Sequence, residues 1–189
     1  LSGRDLSGVV LRKVDLSGRD LRGISFVDAV LNGVIFDNCQ LSGANFSGAE
    51  IDGSSFVGAQ MEGANFEGAR GEGVDFSRAN LAMGRLKQAE FGHVTFSGAC
   101  LDGAVLSESR WVQVQAEGLS AVAVRARGWV LDEAQIMGSN FENAELVNAV
   151  FQVVNAESVN FSGANFRQAR LYRPVLAGAD LSKVQADEA

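Results

Sequence analysis

Ala44-Asn45-Phe46-Ser47-Gly48 is the stretch whose reading decides the fold. With Phe46 taken as a centre, the same five-residue pattern extends in both directions, giving a centre at every fifth residue from Leu1 to Ala186. All 12 Phe of the chain fall on centres. The residue two before a centre, the minus-two position, is small or branched, as in Val9, Ala29, Ala44, Ala59, Ala99 and Ala149. Of the 22 Gly, all but Gly71, Gly84 and Gly92 lie two after a centre. No insertion or deletion shifts this register.

Apolar residues therefore recur alternately two and three apart, which fits neither a helix of roughly 3.6 residues per turn nor a strand alternating every second residue. A short unit with a Gly-rich corner reads instead as a solenoid, in which each unit buries its inner face only by stacking on its neighbours. The runs Ala44–Gly48, Ala64-Asn65-Phe66-Glu67-Gly68, Ala79-Asn80-Leu81 and Ala164-Asn165-Phe166 resemble the pentapeptide-repeat family. The resemblance covers the whole chain and implies an all-β fold, a right-handed quadrilateral parallel β-helix with no internal loops. Four pentapeptides would make each square turn, with centres and minus-two residues inward and the other three outward. The 189 residues would form about nine and a half coils of twenty and a single domain over 1–189. At ~4.8 Å per coil the rod would be roughly 45 Å long.

A twenty-residue turn makes a further demand, that residues n and n+20 stack. The column before the centre on one face runs Val10, Val30, Glu50, Arg70, Glu90, Arg110, Val130, Val150, Arg170. Valine meets valine towards both ends, and acid alternates with base in the middle. Such pairs contribute ~0.2–1 kcal/mol each, and like charges would oppose one another. Phe36, Phe56, Phe76 and Phe96 form a second column, an aromatic core stack. Gln40 over Gln60, Asn45 over Asn65 and Asn140 over Asn160 are expected to form amide ladders. Gly two after the centre suits a type II turn, which needs φ > 0.

The pattern bends in two places. Gly71 is a centre without a side chain, and its void calls for Phe91 or Trp111 to lean across; packing is the expectation rather than a ligand pocket. From Trp111 to Trp129 the centres shrink to Ala116, Ala121 and Ala126 while the minus-two residues grow to Leu119, Val124 and Trp129. That exchange conserves interior volume. It reads either as compensated packing or as a bend that shapes a docking surface. Outward Val112, Val122, Ala123 and Val130 mark this region as a candidate contact patch. Both ends would expose apolar rungs, so flanking sequence caps them or the rods associate end to end. With no initiator Met and the repeat in register at Leu1, the chain is expected to be a segment of a longer protein.

Little in the sequence points to catalysis. His93 is the single histidine, at an outward corner, without a cysteine or second histidine nearby. Asp and Glu lie on convex ladders and do not face one another across a cleft, as acid–base pairs must. Cys/His metal spacing is absent, and the Gly-rich units are corners, since no helix follows them to hold a phosphate. Cys39 and Cys100 would lie about three layers or ~14 Å apart, too far for a disulfide, which suits a reducing compartment. The expectation is a protein that is not an enzyme and uses no cofactor or metal. Mean hydropathy near zero and the absence of a long apolar run leave no candidate membrane span. The location expected is cytoplasmic, or delivered from the cytoplasm if the chain belongs to a secreted effector.

Charge is unevenly placed within a net −7. Between Arg22 and Arg70 there are six acids, Asp28, Asp37, Glu50, Asp52, Glu62 and Glu67, and no base. Between Arg127 and Arg167 there are five acids and no base. Asp52, Glu62 and Glu67 of the first zone, with Glu72 just beyond it, are candidate partner contacts, together with Val112, Val122 and Val130; Glu50, Arg70, Glu90 and Arg110 are the structural ladder. With no continuous basic stripe, direct nucleic-acid binding is not expected. Two functions follow. The first is a rigid interaction module or scaffold for an unidentified protein partner. Its opening Leu-Ser-Gly-Arg-Asp-Leu, at Leu1–Leu6 and again at Leu16–Leu21, is similar to repeat domains of bacterial secretion-system accessory proteins and effectors. The alternative comes from the quinolone-resistance members of the family, which resemble duplex DNA and bind the type II topoisomerases DNA gyrase and topoisomerase IV. Duplex DNA carries about one charge per 1.7 Å, whereas −7 over the rod is about one per 6 Å.

Overall fold

The corner position dictates the path of the chain. In the structure, a computed structural model that describes residues 1–188, all 38 corner positions from Gly3 to Glu188 have positive φ, 19 of them glycines and 19 other residues. The N–H of the minus-two residue closes the corner on the preceding centre's carbonyl, as in Ala44 to Leu41 (2.9 Å) and Ala49 to Phe46 (3.1 Å). With positive φ at the third residue, these are turns of the expected kind. Successive levels are joined by main-chain bonds in both directions. Phe46 donates to the Asn65 carbonyl (2.6 Å) and Asn65 donates back to the Ala44 carbonyl (2.9 Å).

The result is an all-β parallel solenoid in which n pairs with n+20, from Asp5 with Ser25 to Asn165 with Gln185. Each level presents four faces, named here in chain order: the first contains residues 5–8, the second 10–13, the third 15–18 and the fourth 20–23, each repeating every twenty residues. Regular strands occur on the second face. They are β1 (Val10–Arg12), β2 (Val30–Asn32), β3 (Arg70–Glu72), β4 (Glu90–Gly92), β5 (Arg110–Val112), β6 (Val130–Gln135), β7 (Val150–Asn155) and β8 (Arg170–Tyr172). Two of them, β6 and β7, run on round the corner to the start of the third face. β1 and β2 form one sheet and β3 to β8 another, and Glu50 bridges Val30 and Arg70 between them. The strands mark about eight turns, slightly fewer than the nine and a half given by length, and isolated bridges join the levels that have no regular strand.

Side chains fill the interior. Phe36, Phe56, Phe76 and Phe96 are fully buried. Their successive ring centroids are 4.8, 4.9 and 4.9 Å apart with planes within 13°. Phe26, Phe46 and Phe66 make a parallel stack at 5.3 and 4.7 Å, meeting the first edge-on. Trp111 continues the longer stack, 4.5 Å from Phe96, and Trp129 meets Trp111 at 5.1 Å and 83°. Ala116, Ala121 and Ala126 are buried beside Leu119, Val124 and Trp129, as exchanged volume requires.

Gly71 has no void to fill. A Cβ there would lie 2.6 Å from Val74 Cγ2 and 2.8 Å from Ile51 Cγ1. The expected filling by Phe91 or Trp111 is thus corrected: Ile51 from the level below and Val74 from the next corner take the space. Three buried polar residues, Ser54, Ser109 and Ser139, sit at inward minus-two positions. Ser139 Oγ accepts from Leu119 N–H (3.0 Å) and donates to the Ala116 carbonyl (2.7 Å), bracing the corner one level below. Ser54 does the same between Val34 and Leu31.

Candidate functional site

The middle of the second face gathers most of the residues singled out from sequence. β3, β4 and β5 hold Arg70, Glu90 and Arg110 in consecutive register, with Glu50 bridged to Arg70 below. Main-chain bonds set the spacing of the column, while side chains decide which contacts close. Arg70 Nε lies 3.3 Å from Glu90 Oε2. Arg110 turns aside to Asp132 (3.9 Å), so alternation of sign does not make a continuous chain of ion pairs.

Beside this column stand Asp52 and Glu72, both exposed. Asp52 Oδ1 accepts the Glu72 N–H at 3.0 Å. Gly92, at an outward position that elsewhere carries a side chain, leaves room that the Glu72 carboxylate occupies. That carboxylate pairs with Nδ1 of His93. His93, expected as an isolated solvated residue, is therefore exposed but partnered. Asp52, Glu72, Glu90, His93 and Arg110 border a shallow open depression floored by Gly71 and Gly92. Among the described residues, no three His, Cys, Asp or Glu side chains gather closely enough to hold a metal ion.

Other candidates are dispersed. Glu62 lies on the fourth face, and Glu67 lies on the first, where it pairs with Arg85 at 2.9 Å. Val112 and Val130 sit on the second face, whereas Val122 is half a turn away on the fourth. All three are half-buried, so the stretch from Val112 to Val130 is corrected from a contact patch to separate side chains on opposite sides. The large exposed apolar residues lie elsewhere and include Met83, Val153, Tyr172 and Val175. Asn65 donates to Asn45 (3.2 Å) and Asn160 to Asn140 (3.0 Å). Gln60 instead bonds the Gly58 carbonyl, so the expected link to Gln40 does not form.

Charge sorted by face shows what counting along the chain misses. Arg85, Lys87, Arg125 and Arg127 all belong to the first face, in two groups two levels apart. Arithmetic modulo twenty could have found them. Glu67 neutralises Arg85, and Glu145 stands in register with Arg125, so they form two clusters and no continuous stripe. On the third face Asp37, Asp75, Glu117 and Glu157 recur at every second level, and on the fourth Asp20, Glu62, Asp102, Glu142 and Asp180 do the same. Hydrogen bonds from Arg22 hold Asp20 at a pKa of about 2. Burial pushes the thiols of Cys39 and Cys100 upward, and both are free.

The two ends differ. At the first level Arg4 and Arg19 occupy minus-two positions, placing charge on the rung. At the other end Phe166, Leu171, Leu176, Leu181 and Val184 line an apolar cavity of about 130 Å³. No helix among the described residues is long and apolar enough to cross a membrane.

Comparison with known proteins agrees with this architecture. A family profile described as "Pentapeptide repeats (9 copies)" matches residues 36–80, and another, "Pentapeptide repeats (8 copies)", matches 10–48, 72–108, 134–172 and 154–184. Residues 109–133, left unmatched, contain the segment in which large and small residues exchange places. No curated protein matches the chain in sequence. Among solved structures, a trypsin-treated variant of QnrB1, a plasmid-mediated fluoroquinolone resistance protein, has a TM-score of 0.64 at 21% identity. That match covers 96% of this chain and 92% of the other. A second trypsin-treated QnrB1 variant has a TM-score of 0.52 at 20% identity, covering 94% and 92%. HetL of Nostoc sp. strain PCC 7120, involved in heterocyst differentiation regulation, is 19% identical over 96% of this chain and 89% of its own, with a TM-score of 0.32.

Proposed function

The chain belongs to the pentapeptide-repeat family, and from that premise we propose that it is a rigid, non-enzymatic protein–protein interaction module. The observation that carries this reading is the second-face column, whose charged side chains stand on a main-chain ladder bonded at every level. A partner docking there meets groups already spaced at ~4.8 Å, so little backbone entropy remains to be lost on binding. Asp52, Glu72, Glu90 and Arg110, around the shallow depression, are the contacts assigned to that partner. A repeat domain of a secretion-system accessory protein or effector is one setting for such a module. A photo-crosslinking residue at Asp52 tests the assignment in cells that produce the protein, with one at Glu62 on the fourth face as control. A single saturable adduct from Asp52 alone is expected. Equal, unsaturable labelling from both positions would overturn the reading.

A second reading, mimicry of duplex DNA towards a type II topoisomerase, is favoured by the carboxylates at alternate levels on the third and fourth faces. Asp37, Asp75, Glu117 and Glu157 with Asp20, Glu62, Asp102, Glu142 and Asp180, together with Asp15 one level before Asp37, give about one carboxylate per 4 Å of rod. Duplex DNA carries about one charge per 1.7 Å, more than twice that density. A gyrase supercoiling assay separates the two: neither inhibition nor protection from a quinolone at micromolar protein supports the first reading.

A further inference from the structure

We propose that Tyr172, Val153 and Val175, flanked by Arg170 and Arg173, form a docking strip for a short acidic segment of a protein partner that carries an apolar anchor. This rests on the reading of the chain as an interaction module and gives that module a second, chemically distinct contact.

The strip lies where the second face turns into the third. β7 and β8 pair Gln152 with Tyr172, and Asn155 is bridged to Val175, so Val153 lies beneath the Tyr172–Arg173 corner. All three apolar side chains point outward, with Tyr172 51%, Val153 45% and Val175 46% exposed. Tyr172 is the single tyrosine of the chain. It lies between two open depressions, one bordered by Asn148, Val150, Gln168 and Glu188, the other by Gln152 and Val153. The Glu188 carboxylate accepts a hydrogen bond from Gln168 (3.0 Å) and closes no ion pair with Arg170.

Val153 is the feature that packing does not explain. It occupies a corner at φ 54°, a conformation that a β-branched residue tolerates poorly. Glycine fills the same position at 19 other corners. A residue kept in an unfavourable backbone conformation, and exposed while there, contributes little to the core, so its use is sought at the surface. An exposed aromatic ring beside Arg is also the composition enriched at the centres of protein interfaces.

Charge selects the partner. Among the described residues neither Arg170 nor Arg173 closes an ion pair, whereas neighbouring Arg167 meets Asp187 at 3.3 Å. Both guanidinium groups are thus available to a carboxylate, and planar bidentate pairing suits them to one. On the other side of Val153, Glu133 borders the adjoining depression and accepts a hydrogen bond from Gln113 (3.0 Å). The strip is therefore cationic at the Arg173 end and anionic at the Glu133 end, which orients an acidic segment with its carboxylates by the arginines and its apolar anchor on Tyr172 and Val153. Three side chains over two levels suit a short segment with one or two anchors, not a folded domain.

A displayed library of random short peptides, selected on the wild-type protein, tests this. Enriched peptides are expected to join Asp or Glu to Phe, Leu or Trp. Binding of one such peptide, read by fluorescence anisotropy, should weaken roughly tenfold or more in Tyr172→Ala and in the double variant Arg170→Glu/Arg173→Glu. Val153→Gly should raise the thermal midpoint while weakening the same peptide several-fold, a combination that general loss of folding cannot produce. Thermal midpoints near wild type for the other variants confirm that their folds are intact. Selection of neutral or basic peptides, or of acidic ones insensitive to these substitutions, overturns the strip and leaves the interaction module standing. No enrichment at all also overturns the strip, and the Asp52 crosslinking result then decides the module separately.

Discussion

Gly71 shows how little slack one residue has in this interior. Its centre would ordinarily carry Leu, Ile or Phe, yet Ile51 and Val74 already fill the space in which a Cβ would stand. Gly71→Ala should therefore destabilise the protein by ~1–3 kcal/mol, the usual cost of overpacking, seen as a lower denaturant midpoint at unchanged slope. A neutral or stabilising result would mean that Val74 can move aside. The same position marks a limit of sequence reading. That Gly71 is a centre follows from its number, but the identity of the filling side chains depends on rotamers that spacing does not specify. Ser54 and Ser139 were illegible for a related reason: both occupy positions that spelling alone assigns to apolar residues, and only the corner below reveals which backbone groups they satisfy.

At the scale of a column, register was legible and side-chain closure was not. Glu50, Arg70, Glu90 and Arg110 stack in the order that their numbers require, yet of the three successive pairs only Arg70–Glu90 approaches to 3.3 Å. Exposed pairs of this kind contribute ~0.2–1 kcal/mol each. Glu50→Lys with Glu90→Lys would leave four positive charges one above another, and the expected loss is ~1–2 kcal/mol at low salt, shrinking as salt is added. Unchanged stability at low ionic strength would show that the column is not electrostatically coupled. The outer levels have their own titration. Asp5, Asp15 and Asp180 are held below their ordinary pKa of 3.8 by bonds from Ser7, Ser17 and Ser182, and Asp20 is held at about 2 by Arg22. A carboxyl whose folded pKa is depressed stabilises the fold above its unfolded pKa, and that contribution is lost as pH falls through the folded value. Amide exchange in residues 1–25 and 175–188 should thus accelerate between about pH 4 and pH 2 before it does in the middle coils. Uniform acceleration along the rod would contradict this. The first-face bases were readable in principle, but charge counted along the chain cannot show that Arg85, Lys87, Arg125 and Arg127 share a face.

Across the whole molecule, the core changes hands once. In the first half bulk lies mainly at first- and third-face centres, in the stacks Phe26–Phe46–Phe66 and Phe36–Phe56–Phe76–Phe96. In the second half Phe141, Phe151 and Phe161 put it on the second and fourth faces, with Phe166 returning to the first. The transfer is made by two tryptophans. Trp111 stacks on Phe96, Trp129 crosses Trp111 edge-on, and Trp129 then meets Phe151 at 5.7 Å and 89°. Neither indole N–H finds an acceptor among the described residues, so what the pair contributes to the core is volume and shape. A solenoid is coupled only through nearest-neighbour levels, so its cooperativity is as strong as its weakest joint. Trp129→Ala removes the one side chain that touches both aromatic systems and should cost ~3–5 kcal/mol. The larger consequence is uncoupling: two unfolding transitions should replace one. Exchange protection should fall first beyond residue 131, where the stacked Phe141–Phe161 pair is looser (5.6 Å) than the 4.7–4.9 Å of four of the earlier stacked pairs. Hydrogen exchange across a denaturant series reads this directly. A single transition of unchanged slope, with protection lost evenly on both sides of Trp129, would show that main-chain ladders alone bind the halves into one cooperative unit.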